Sequence, residues 1–364
     1  MIRTSLAALM LVAALVAGCA SPAYYIQAIG GQLEILRASR PLSEAGEDQA
    51  VPAALRQRLV VAAQMRDFAS RELGLPDNGS YRKYADLGRP YVTWNVFAAA
   101  PLSLEAKQWC FPIAGCVGYR GYFSEAAARE FAAGLRAGGE DVYVGGVAAY
   151  STLGWFDDPI LNTFVRYPDI ELARLLFHEL AHQVVYVSGD TVFNESFAVA
   201  VEEAGVTRWV EAHGTPEQHE VFVRMEQRRS DFHALIKAAR DRLAHLYTGP
   251  GEPADKLAEK AHVLAQMQVD YRAMRDDKWG GFAGYDRWFA GDINNAKLAS
   301  VGLYLDLVPA FRALLAENGN DLRRFYAAVK ALAALPPEQR KARLALAAAS
   351  ADQDRKTSVT HLDQ

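Results

Sequence analysis

Residues 166–205 read RYPDIELARLLFHELAHQVVYVSGDTVFNESFAVAVEEAG, two helical patterns joined by a Ser-Gly-Asp turn at 188–190. The first pattern carries His178, Glu179 and His182 in the order H-E-x-x-H. No other stretch restricts the fold as much, because on a helix positions i and i+4 lie one turn apart on the same face. Two imidazoles so placed can reach one ion, and the carboxylate beside them can take a proton from water. This is the combination that a zinc hydrolase needs. Ile170, Ala173, Leu176, Leu180 and Val184 form an apolar stripe, which predicts a helix over 170–187 with Asp169 as its cap. The competing reading is a pair of packed helical histidines beside surface acids.

A zinc site needs a third protein ligand, and the second helical pattern, about 191–210, supplies acids. Glu195 and Glu202 are seven residues apart, close to two turns, and share a face, while Glu203 is displaced by one position. One helix therefore offers a carboxylate to the ion and a second that can orient a ligand histidine through its distal nitrogen. Two histidines and one glutamate leave a fourth position for water.

The chain has 364 residues, 51 % hydrophobic and 23 % charged, with a net charge of -4. That is enough for one large domain or two modest ones, and the missing Lys/Arg field argues against nucleic acid as a partner. Arg3 followed by the apolar run Ser5–Ala17 reads as an export signal. Its end, Leu15-Val16-Ala17-Gly18-Cys19, looks like the lipobox of bacterial lipoproteins. The resemblance implies removal of residues 1–18 and lipid on Cys19, which anchors the protein to a membrane without a spanning helix. Ala20 in place of an aspartate favours the periplasmic face of the outer membrane. A plain secretory signal or an uncleaved anchor is the alternative. Cys110 and Cys116 enclose Phe-Pro-Ile-Ala-Gly, and in an oxidising compartment they read as a disulfide. A loop this small stabilises by roughly 2 kcal/mol. A free pair or a two-cysteine metal site is the weaker reading.

Helical spacing marks Tyr24–Arg37, then Leu55–Met65 ending near Gly74. Tyr91–Ala98 has strand composition, Ser124 can cap a helix to about Leu135, and Asp141–Tyr150 reads as a strand continuing toward Phe156. Gly145 and Gly146 inside it fit either a bulge or a close approach by another backbone at an open sheet edge. Thr215-Pro216-Glu217-Gln218 starts a long helix to about Tyr247, with Arg228-Arg229 on a solvated face. His213, His219, His233, His245 and His262 lack ligand-like partners. Trp279–Phe289 is a lid or a packed aromatic loop, and Asn294–Leu298 opens a helix carrying Tyr304. Two helical segments, 322–335 and 337–349, precede a polar tail at 351–364. The expected fold is α+β and mainly helical, one domain over 19–350, with a small sheet beside the H-E-x-x-H helix.

Asn194-Glu195-Ser196-Phe197-Ala198 followed by Glu202 resembles the N-E-G-F-A…E pattern of the gluzincin metallopeptidases, notably the membrane alanyl aminopeptidase superfamily. The resemblance implies a zincin-like domain, Glu195 as third ligand of a single zinc ion, and Glu202 as the supporting carboxylate. The gap from His182 to Glu195, 13 residues, is shorter than those peptidases usually have, and Glu202 as ligand stays open. More widely, the chain is similar to a family of bacterial lipoproteins described as predicted aminopeptidases. That match rests on Tyr24–Pro41, Trp109–Tyr122, Asp141–Tyr150, Thr152–Pro159, the H-E-x-x-H motif, Asn194–Glu203 and Asn294–Leu298. It implies hydrolysis of peptides, with Glu179 as general base. A gluzincin also places a Tyr or His donor over the developing oxyanion, for which Tyr304 is the first candidate and Tyr285 the second. No G-A-M-E-N block is present to grip a free amine. An endopeptidase acting on envelope proteins and a non-catalytic peptide-binding lipoprotein are therefore the rival readings.

Overall fold

The computed structural model describes residues 22–111 and 115–362. The signal at 1–18 and Cys19 lie outside the described residues, as does Pro112 in the turn between the two cysteines. The architecture is mainly helical with small sheets. From the amino end come α1 (Pro22–Ala38), β1 (Arg40–Pro41), α2 (Leu42–Glu47), α3 (Ala53–Arg71) and β2 (Lys83–Ala85). Next are β3 (Thr93–Ala99), β4 (Trp109–Phe111), β5 (Gly115–Val117), β6 (Arg120–Tyr122), α4 (Glu125–Ala137), β7 (Asp141–Val147) and β8 (Ile160–Leu161).

The core is built on α5 (Asp169–Ala181) and α6 (Thr191–His213), which pack along each other. Leu172, Ala173, Leu176, Phe177, Leu180 and Ala181 are all fully buried and cover one half of α5, and buried Arg174 and His178 lie on the other half. A helix buried on both halves belongs inside the protein rather than on its surface, and its polar half faces the site described below. Phe193, Phe197 and Val201 bury α6 in the same way, and Phe311 and Phe325 close over them. Helix α5 stops at Ala181, short of the predicted 187, because Gln183 and Val184 bond back to Leu180 and Ala181 in tight three-residue turns. Asp169 is its first residue and makes no cap; its carboxylate pairs with Arg58 instead.

Strand β3 is the middle of an antiparallel sheet in the order β6-β3-β7, so β7 is an edge strand. Its register is unbroken, with Trp94 opposite Gly146 and Asn95 opposite Gly145, which rules out the bulge. Gly146 is needed for another reason: a Cβ there would lie 2.4 Å from the Tyr91 ring. The strand ends at Val147 rather than running on to Phe156. A second sheet, β1-β2-β8, is mixed, and β4 and β5 form a hairpin closed by a Cys110–Cys116 disulfide.

The long helices α7 (Pro216–Thr248) and α8 (Pro253–Ala273) pair with each other and continue through a π-helical turn to the short α9 (Asp286–Phe289). Here the Trp279–Phe289 segment is a packed aromatic loop. Tyr271 stacks on Phe289 at 3.8 Å, and the Trp279 indole donates to Asp231 at 3.0 Å. Helix α10 (Asn295–Leu305) then lies between the β3/β7 sheet and α6. Asn294 caps it, bonding the Lys297 amide at 3.1 Å and donating to the Val142 carbonyl at 3.2 Å, which ties α10 to β7. The sheet thus meets the H-E-x-x-H helix pair chiefly through α10. Asn295–Glu317 is apolar and long enough to cross a membrane by composition, but the stretch breaks into α10 and α11 (Val308–Glu317) and is mostly buried in the core. Helix α12 (Leu322–Ala333) packs on Phe197, and α13 (Pro337–Leu362) continues well past the expected limit at 349.

Candidate metal centre

Helix α5 presents His178 and His182 one turn apart, and their Nε2 atoms face each other at 3.2 Å. Oε2 of Glu195, from the first turns of α6, lies 3.2 Å from the first and 3.6 Å from the second. All three side chains are buried. A tetrahedral ion with bonds of about 2.0–2.1 Å holds neighbouring donors about 3.3–3.4 Å apart. The three atoms match that spacing, and two imidazole nitrogens plus a carboxylate oxygen is a donor set suited to a divalent metal. The residues fit, and His178, His182 and Glu195 can hold one metal ion.

The short connection between the helices works through Asn194. Its side chain accepts from the Val187 amide and donates to the Val187 carbonyl, both at 2.8 Å. Asp190 caps α6 through the Phe193 amide and is gripped by Arg340 at 2.8 Å. The disulfide-closed hairpin also touches this turn, since a Cβ on Gly115 would lie 2.5 Å from Ser188 Oγ and 2.6 Å from the Gly189 amide nitrogen. Several independent contacts therefore set the point at which Glu195 enters.

Glu202, two turns further along α6, reaches the other side of the same imidazole. Nδ1 of His178 donates to its Oε2 at 2.8 Å, which turns Nε2 toward Glu195 and His182 and would leave its lone pair for an ion held there. Oε1 of Glu202 is held by Arg229 at 2.5 Å and by Arg174 at 3.3 Å, and Arg174 also pairs with Glu226. Arg229 is thus largely buried against the centre, and Arg228 lies over the Phe282 ring at 4.1 Å. The solvated face expected of this pair is not what α7 presents there, because buried Glu202 needs a counter-charge.

A family model described as "Putative aminopeptidase" matches residues 23–344. The chain belongs to this family. No curated protein and no solved structure matches it.

Burial pushes the carboxyl of Glu179 above its usual range, with the two histidines partly opposing. Burial alone would also raise Glu195, but His182 and His178 outweigh it and hold that carboxyl at about 2. Burial works to lower the imidazole of His178, yet its bonds to Glu195 and Glu202 prevail and lift it well above the ordinary histidine value. Tyr304, carried in by α10, has its ring 6.1 Å from that of His178, and the charge of Glu195 together with burial keeps its hydroxyl protonated far into the alkaline range. Tyr285 is elsewhere, stacked on Phe232 at 4.3 Å in the α7–α9 cluster.

Sequence reasoning passed over Tyr119 and Tyr186, both raised by burial and then by the charge of Glu195, and also Arg174 and Arg229. The spacing of Tyr186, four residues after His182, is a signal that was available. None marks Tyr119, which β5 and β6 bring in from a distant part of the chain. Of the remaining histidines, His213 packs on Trp209 at 4.1 Å, and His233 is pushed down to about 3 by burial and by Arg229.

Proposed function

We propose that this protein is a zinc-dependent aminopeptidase of gluzincin type, a single domain over residues 19–350 anchored by lipid on Cys19 at the periplasmic face of the outer membrane. The observation that carries this reading is the convergence of His178 Nε2, His182 Nε2 and Glu195 Oε2 within 3.2–3.6 Å of one another beside Glu179. His178, His182 and Glu195 would hold the zinc. When bound, zinc supplies a Lewis acid that polarises a peptide carbonyl and acidifies water.

The protein's own groups do the rest. The raised proton affinity of Glu179 suits it to take the proton of the attacking water. It then passes that proton to the leaving amine. Glu202 fixes the tautomer of His178 and is itself locked by Arg174 and Arg229. Tyr304, kept neutral by Glu195 and burial, donates a hydrogen bond from its hydroxyl to the developing oxyanion.

The test is hydrolysis of paired peptides, with free and with N-acetylated amino ends, by protein of measured zinc content. Cleavage confined to free amines supports the aminopeptidase reading. Equal cleavage of both sets makes the protein an endopeptidase. Full hydrolysis by metal-clean protein overturns the mechanism, and absence of both zinc and hydrolysis leaves a binding lipoprotein.

A further inference from the structure

The outward face of α1 is its apolar face. Pro22, Ala23, Ile26, Ile29, Gly30 and Leu33 are exposed, with Ile26 at 70 %, Ile29 at 61 % and Leu33 at 42 %. They recur at helical spacing, and no charged residue occurs between Pro22 and Leu33. The opposite face is held by the body of the protein: Tyr24 stacks on Phe111 at 5.4 Å and meets Tyr122 edge-on, while Gly31 and Ile35 are buried. The first charged residue, Glu34, lies on the flank and pairs with Arg89. Helices that face water show the reverse pattern, polar outside and apolar inside. A contiguous apolar strip about 16 Å long, at 1.5 Å per residue, is an interaction surface.

Its occupant is indicated by the chain that leads into it. Cys19 precedes Pro22 by three residues, a span that reaches at most about 11 Å when fully extended. Acyl chains on Cys19 would therefore hold the start of α1 at the lipid surface.

We propose that α1 lies in the surface of a phospholipid bilayer, with Ile26, Ile29 and Leu33 among the upper acyl chains. This rests on lipid attachment at Cys19. It goes further, because it makes a second contact that fixes the orientation of the body rather than leaving it on a flexible tether. A helix in this position buries its apolar face about 5–10 Å below the headgroup boundary.

The experiment uses full-length protein in vesicles of phosphatidylethanolamine and phosphatidylglycerol that carry a spin-labelled quencher on the acyl chain. A bimane is placed at Ile29→Cys, and as a control at Val223→Cys, 64 % exposed on α7. Quenching at position 29 is expected to exceed that at 223 by about twofold or more. Equal quenching at the two positions overturns the proposal. So does a label at 29 that is shielded from aqueous iodide yet untouched by the lipid quencher, which would place a second copy of the chain on this face. Mass spectrometry of the amino-terminal peptide reports separately on the lipid. If Cys19 is bare, the anchor reading fails, and the same quenching on a Cys19→Ala background with added vesicles judges α1 on its own.

Discussion

Glu202 accepts a hydrogen bond from Nδ1 of His178 at 2.8 Å, on the far side of the imidazole from Glu195. The two acids of α6 thus address the two nitrogens of one ring, and only Glu195 also approaches His182. Glu202→Ala is expected to weaken metal affinity by roughly 10–100-fold without abolishing it, as loss of an orienting partner does. It should also destabilise the fold by about 3–5 kcal/mol, because Arg174 and Arg229 lose the carboxylate they neutralise. Glu195→Ala should lose the metal in a chelator that the Glu202→Ala protein still withstands. Competitive chelator titration of both variants checks this, and the opposite order would exchange the two roles.

Glu179→Gln keeps the shape of the side chain but removes its ability to accept a proton. The ligand atoms of His178, His182 and Glu195 are untouched, so zinc content should equal that of the unaltered protein. Hydrolysis should fall by about 10²–10⁴-fold or more, the range for loss of a general base. The decisive comparison is turnover per bound zinc, and a variant with undiminished turnover removes Glu179 from the mechanism.

Tyr304→Phe deletes only the hydroxyl of the ring packed 6.1 Å from His178. A fall in kcat of about 10²–10³-fold at unchanged zinc content is expected for a lost oxyanion donor. Tyr285→Phe should leave kcat unchanged, since that ring stacks on Phe232 in another cluster. Steady-state kinetics of the two variants side by side distinguishes them, and equal effects would deny Tyr304 this role.

The helical part of the centre was legible because its information is local. H-E-x-x-H and the Glu195/Glu202 spacing each need only the 3.6-residue period to bring their members together. The connection between them was less legible: Asn194 bonding the backbone of Val187 depends on a turn whose shape the period does not define. Arg174, Arg229 and Tyr119 were invisible for a different reason. The distance of Arg229 from Glu202 and of Tyr119 from Glu195 depends on how α7 and the β5–β6 region fold back, and that of Arg174 from Glu202 on how α5 packs against α6, which is a tertiary matter. An adjacent Arg-Arg pair on a charged helix normally faces water, and only the burial of Glu202 made it otherwise. Strand β7 was read in the right place but too long, and of the two glycines that suggested a bulge Gly146 answers instead to the bulk of Tyr91.

Asp158 offers a test of the electrostatics around Glu179 that does not depend on metal. It is buried, accepts from the Thr152 amide and hydroxyl at 2.8 Å each, and burial raises its carboxyl from 3.8 to about 7, with Glu179 adding to the rise. Below about pH 4 both folded and unfolded chains hold this proton, so the group contributes nothing to pH dependence. Between about pH 4 and 7 the unfolded chain has released it and the folded chain retains it, so stability falls as pH rises. Above about pH 7 the penalty is complete, at up to about 4 kcal/mol for a shift of this size. Asp158→Asn lacks the titration and keeps one acceptor for Thr152, so any packing loss is a constant offset. Urea unfolding of metal-free protein at pH 5, 6, 7 and 8 should show the variant gaining on the unaltered chain through pH 7 and then running parallel. Parallel curves across the whole range would mean that Asp158 is ionised throughout and that its surroundings compensate its charge.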